Sequence, residues 1–163
     1  YHLFFCDEDL TGYDTNLKVN PPLRTKGDQL ALQEALQNGQ IDCIASHHIP
    51  QNYDAKTCEF EYAKNGMIGL ESVFGAVGGL INKKFTLPQC IHLLTVAPRT
   101  IFGLQLPDLT EGVTANLTLF NPDETYIFSK ENIRSKSTNS AFTDKKMTGT
   151  VVGIINGDKT YFN

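Results

Sequence analysis

The stretch Ile44-Ala45-Ser46-His47-His48-Ile49-Pro50-Gln51 ends a short apolar run in two adjacent histidines, half of the four in the chain. Imidazole titrates near neutrality and ligates metals through a neutral ring nitrogen, so the pair could move a proton or hold zinc. Polar groups at the C-terminal end of a buried parallel strand are placed where α/β barrels keep catalytic residues, because the strand fixes them and the loops supply substrate contacts. The alternative is a pair of surface or hydrogen-bonded core histidines, and only the neighbouring motifs can choose. His92 lies off the apolar stripe of its own segment and reads as a solvated residue.

Certain elements must position this pair. Asp28 can cap a helix over 29–38, with Leu32 and Leu36 on one face and Gly39 as a left-handed stop. Ile41 to Ala45 follows as a strand without alternation, a pattern expected of a parallel strand covered on both faces. Leu70, Val73, Phe74, Val77, Leu80 and Ile81 form one helical stripe despite Gly75, Gly78 and Gly79, which points to close packing there. Thr86 can cap the next helix, which the sequence predicts to end near Pro98, with a short helical turn continuing through Phe102. Beyond Pro107 the texture changes. Ala115 to Phe120 and Thr125 to Phe128 read as strands, Ser135 to Asp144 as a loop, and Thr150 to Ile155 with Lys159 to Phe162 as a hairpin across Asn156-Gly157. The fold class is therefore α/β over 1–104, followed by an all-β segment over 105–163.

Composition narrows the function. Charged residues make up 20% of the chain, hydrophobic residues 40%, and the net charge is −4 without a basic cluster, so nucleic acid is an unsuitable partner. No apolar run approaches the roughly 18 residues of a membrane span. Cys6, Cys43, Cys58 and Cys90 contain no C-x-x-C pair and read as reduced thiols. Asn116-Leu117-Thr118 fits a glycosylation sequon with no signal peptide ahead of it, which makes a cytoplasmic location the simplest expectation. The opening Tyr1-His2-Leu3-Phe4-Phe5 has neither methionine nor a polar lead-in, as expected of a chain that starts inside a fold.

Five ordered stretches resemble the dihydroorotases of the amidohydrolase superfamily. They are Lys18-Val19-Asn20-Pro21-Pro22-Leu23-Arg24, Ile41 to Gln51, Asn65-Gly66-Met67-Ile68-Gly69-Leu70-Glu71, Thr95 to Leu104 and Arg134 to Phe142. The resemblance spans essentially the whole chain and only the later part of the family's chain. It implies the C-terminal portion of a metal-dependent (β/α)8 TIM barrel over 1–104 and part of a small β-sandwich over 105–163. The implied chemistry is hydrolysis of a cyclic amide, dihydroorotate to N-carbamoyl-aspartate in pyrimidine biosynthesis. In the family zinc activates a water, and an aspartate takes its proton and delivers it to the leaving nitrogen.

By the same resemblance, Asn20, Asn65 and Gly66 fall on substrate-binding positions. Gln51 falls on the family's histidine that contacts the substrate carboxylate, and it brings no positive charge. His47 falls on the aspartate that serves as metal ligand and general base. Histidine can ligate zinc there, yet it carries no negative charge and its longer ring moves the donor atom, so the usual proton shuttle is expected to fail. The family's other metal ligands precede the matched part. Two readings follow: a portion of a dihydroorotase with impaired chemistry, or a non-catalytic dihydroorotase-like scaffold assembled with aspartate transcarbamoylase. Expected partners are the small-molecule substrate, the missing N-terminal part of the barrel and, as in relatives, a second copy in a homodimer.

Overall fold

The computed structural model describes residues 1–106 and 108–163. Helix α1 spans Lys26–Gln37, and its N-cap is Thr25 rather than Asp28. Thr25 Oγ1 accepts from the Asp28 backbone N–H at 3.2 Å while Asp28 Oδ2 accepts from the Thr25 N–H at 3.1 Å. This reciprocal box satisfies two free donors where a lone aspartate cap would satisfy one, so the helix starts earlier than the sequence predicts. Gly39, at φ +70°, ends it as expected.

The stretch expected as a buried strand, Ile41 to Ala45, forms no ladder among the described residues. Cys43 and Ile44 are half-buried, Ala45 is exposed, and the Ile44 N–H donates to the Leu93 carbonyl at 3.0 Å. Parallel pairing occurs further on, as a single bridge between His48 and Met67 backed by Ile49 N–H to Met67 O at 2.9 Å. A ladder requires a neighbour running alongside, and here the neighbour meets the segment at one residue.

Helix α2, Val73–Gly78, is shorter than the stripe from Leu70 to Ile81, because Leu70 is 62% exposed and Leu80 and Ile81 continue only as turns. Its glycines serve close packing, with a strand as the partner. A Cβ at Gly75 would lie 2.7 Å from Tyr126 Oη, and one at Gly78 would overlap the carbonyl oxygen of Thr148. Helix α3, Leu87–Ile91, is capped by Thr86 as expected, and then a π turn over His92–Val96 leads directly into helix α4, Ala97–Ile101. The predicted stop at Pro98 is therefore corrected. The Ala97 N–H reaches back to His92 O, and although Pro98 has no N–H to continue this pattern, the Leu93 carbonyl it would have met accepts from the Ile44 N–H at 3.0 Å instead.

Three antiparallel strands, β1 (Asn116–Ile127), β2 (Lys146–Asn156) and β3 (Lys159–Phe162), lie in the order β1-β2-β3. The two strand runs expected over 115–120 and 125–128 belong to one strand. Its register breaks between Asn121 and Thr125, so Pro122 sits where no ladder bond is needed. The hairpin forms as expected, but one residue later than the Asn156-Gly157 turn: Asn156 pairs with Lys159, and the chain turns on Gly157, at φ +63°, and Asp158. Pro107, beside the expected boundary between 104 and 105, lies outside the described residues.

The core joins the two ends of the chain. Phe5, Leu17, Val19, Leu23, Met67 and Ala76 pack with Phe128, Ala141, Phe142 and Met147, and the Phe142 ring lies 4.9 Å from that of Phe5. A second cluster gathers Val77, Phe85 and Cys90. All four cysteines are free thiols, and burial pushes Cys90 up to about 11.

Candidate active site

At His47 the backbone takes φ +48°, a left-handed conformation that a non-glycine residue adopts at some cost. The twist sends the two histidines to opposite sides. His47 is exposed, and its Nδ1 pairs with Tyr1 Oη, the rings stacking at 5.4 Å and 26°. Burial pushes the Tyr1 hydroxyl up to about 12, so it stays protonated and is the donor to Nδ1. A neutral His47 then carries its hydrogen on Nε2, and neither nitrogen is a free acceptor. His2 completes this corner, its ring 4.7 Å from Tyr1 and its buried Nε2 without a partner. Burial, with the nearby His47 adding to it, holds His2 below the ordinary histidine range.

His48 faces the other way. Its Nδ1 accepts from the N–H groups of Gly69 at 3.1 Å and Leu70 at 3.3 Å, and its Nε2 stands 3.5 Å from Ser135 Oγ. Two donors on one nitrogen require the tautomer with its hydrogen on Nε2. Glu71 anchors the same turn: Oε1 accepts from Ser135 N–H and Oγ, both at 2.7 Å, and from Arg134 N–H at 3.2 Å. Burial pushes this carboxyl up, and the hydrogen bonds from Ser135, its own backbone and Arg134 outweigh that, leaving it below the usual carboxylate range.

Three of the other residues singled out by sequence, Gln51, Asn65 and Gly66, meet on this second side. Gln51 Nε2 donates to Asn65 O at 2.8 Å. Gly66, at φ +120° with no room for a Cβ beside Ile49, donates its N–H to Lys18 O at 2.8 Å, which ties it to the segment carrying exposed Asn20. His47 stands apart from them. It lines a cavity of about 190 Å³ with Tyr1, His2 and Val73, whereas Gln51 and His48 line a larger one of about 990 Å³ with Ser137, Asn139 and Lys56.

Four residues of this site went without a role in the sequence reading: Glu71, Ser135, Ser137 and Asn139. All stand inside the matched stretches 65–71 and 134–142, which is the signal that marks them. Lys56 had no signal. Its Nζ donates to Thr15 O at 2.7 Å and Lys64 O at 2.8 Å, and burial pushes the ammonium down to about 8.

Among the described residues no group of three or more His, Cys, Asp or Glu could hold a metal ion. The donors nearest His47 are His2 and Tyr1, and the Nδ1 of His47 is already paired. The residues of this chain therefore do not fit a metal centre by themselves. No described helix is long and apolar enough to cross a membrane.

Comparison with known proteins follows the same lines. Over 161 residues the chain is 39% identical to the dihydroorotase of Caldicellulosiruptor saccharolyticus, covering 98% of this chain and 37% of that protein. It is 38% identical over 161 residues to that of Bacillus subtilis, and 43% identical over 154 residues to that of Carboxydothermus hydrogenoformans. The latter two alignments cover 98% and 91% of this chain, and 38% and 35% of those relatives. Among solved structures, a D-hydantoinase superposes with a TM-score of 0.87 at 23% identity, covering 99% of this chain and 37% of its own. The inactive dihydroorotase-like domain of a Chaetomium thermophilum CAD-like multifunctional protein gives 0.63 at 22% identity, covering 98% and 41%. No family model matches the chain. The chain thus spans a little over a third of the length of the curated relatives it matches, and its fold is the C-terminal portion of an amidohydrolase TIM barrel with its β-segment.

Proposed function

We propose, from the premise that this chain belongs with the dihydroorotases as their C-terminal part, that it carries the substrate-facing turns of a cyclic amidohydrolase altered at its proton-transfer position. Opening dihydroorotate breaks an amide C–N bond. A base must take a proton from the attacking water, and the leaving nitrogen must receive one. At the position where relatives are expected to use aspartate, His47 has its Nδ1 engaged by Tyr1, and this pairing is the observation that carries the reading. Asn20, Gln51, Asn65 and Gly66 then serve recognition, with Gln51 offering an amide hydrogen to the substrate carboxylate where a histidine would offer charge. In this reading residues 1–104 are the last strands and helices of the barrel and 105–163 the β-sandwich segment. Zinc would take its ligands chiefly from outside this chain, and His47 would be the residue here able to offer it a donor.

The test uses the full-length protein and its His47→Asp variant, assayed for dihydroorotate hydrolysis and zinc content. The wild type is expected to turn over at least ~10³-fold more slowly than a working enzyme, since groups acting as a unit cost on this scale or more when lost. The variant is expected to recover much of that rate. Wild-type turnover in the ordinary range of about 1–10³ s⁻¹ would overturn the reading.

A second reading is a non-catalytic scaffold assembled with aspartate transcarbamoylase. What favours it is the likeness to a domain described as inactive and dihydroorotase-like. A stoichiometric complex surviving gel filtration supports it, and a free full-length protein at micromolar concentration of both components counts against it.

A further inference from the structure

We propose that Asn139 is the positioning residue of the substrate-facing turns, a role that rests on the dihydroorotase-like reading above. Its side chain is 6% exposed and faces four polar partners. Oδ1 accepts from the Gln51 N–H at 3.1 Å and from Ser137 Oγ at 2.6 Å. Nδ2 donates to Gly66 O at 3.1 Å and Ile49 O at 3.3 Å. One planar amide therefore spans both turns, that of Gln51 and that of Asn65 and Gly66, and fixes the spacing between them. Two acceptor sites and two donors on one short side chain are what asparagine alone supplies at this length. Ser137 Oγ also lies against the Gln51 carbonyl, and its single hydrogen goes to that oxygen or to Asn139 Oδ1, one at a time.

The consequence concerns recognition of the substrate carboxylate. Gln51 Nε2 gives one hydrogen to Asn65 O, so the direction of its second hydrogen depends on the distance between the two backbones. Asn139 sets that distance. It touches backbone atoms and Ser137 and acts on the ligand only through the residues it holds, so its loss moves the donor of Gln51 relative to the ring-binding backbone of Gly66. Rigid support of this kind decides whether a contact residue meets its ligand at all, since misplacement by about 1 Å is costly.

Two probes separate positioning from general support: dihydroorotate, and dihydrouracil, the same ring without the carboxylate. Binding of both is measured by calorimetry on the full-length protein, beside its melting temperature. Wild type is expected to prefer dihydroorotate. Asn139→Ala is expected to cut that preference about tenfold, the scale of one hydrogen bond to a charged group. Ser137→Ala, which deletes one hydroxyl outside the core, is expected to cut it about threefold and keeps the test decisive if the first variant does not fold. A purely structural role lowers the melting temperature and leaves the preference unchanged, which in the folded variants overturns the positioning role and leaves the dihydroorotase-like reading intact. Wild-type protein that binds no dihydroorotate overturns both.

Discussion

The turn held by Asn139 and Glu71 and the corner made by Tyr1, His2 and His47 lie on opposite sides of one backbone segment and differ in how their polar groups are met. On the turn, both nitrogens of His48 face partners, one oxygen of Glu71 takes three donors, and Asn139 faces four polar partners. In the corner, His47 is tied only to a tyrosine and the buried Nε2 of His2 has no partner. Glu71 Oε2 is the one comparable gap on the turn side. Under the proposed reading, the turns that would meet a ligand can stay intact while the residue at the proton-transfer position is exchanged, because the two are braced by different residues.

The largest effect is expected at Gly69, where a Cβ would overlap the carbonyl oxygen of Ser46. Gly69→Ala should lower stability in urea by about 3 kcal/mol, the upper range for forced overpacking. A loss under about 1 kcal/mol would mean that the turn yields and the contrast with the corner fails.

His48→Ala leaves the N–H groups of Gly69 and Leu70 without an acceptor and is expected to cost about 1–3 kcal/mol. His47→Ala, at an exposed side chain with one hydrogen bond, should stay within about 0.5 kcal/mol. Equal losses from these neighbours, measured by chemical denaturation, would erase the distinction between the two sides.

The smallest effect is in pH. His2 is held below its ordinary 6.5, so the unfolded chain binds more protons as pH falls through that value, and stability present above it is lost. Glu71 is held below its ordinary 4.5, so its contribution is present above 4.5 and is lost only as pH falls through its lower native value. The denaturation midpoint should accordingly decline in two stages, the corner first and the turn later. His2→Gln should abolish the first stage alone, and a decline that begins only below 4.5 in the wild type would contradict the assignment.

Much of the helical start and stop chemistry was legible locally. Thr86 and Gly39 act as read, and the last hairpin forms, turning on Gly157 and Asp158. Two local features were missed, and the rest depended on partners distant in sequence. Asp28 looks like a cap until Thr25 is seen to answer it, and Pro98 looks like a stop until the π turn widens before it. Ile41 to Ala45 has strand composition, yet a ladder belongs to two segments and no local pattern reports the second. The site divides the same way. Gln51, Asn65 and Gly66 carry their own motifs and do come together, whereas the bracing by Asn139 crosses 88 residues to reach Gln51. The opposed directions of His47 and His48 follow from one left-handed residue, which composition does not announce.

The shared core has a consequence for dividing the molecule. Phe5 and Met67 lie in one cluster with Phe128, Phe142 and Met147, while residues 108–114 between them are exposed. A protease cut in that exposed stretch severs one peptide bond and no part of the apolar cluster. The two fragments would remain associated after nicking and would each lose their hydrophobic interior on separation, which makes this segment a natural place to build a split, self-reassembling version of the chain.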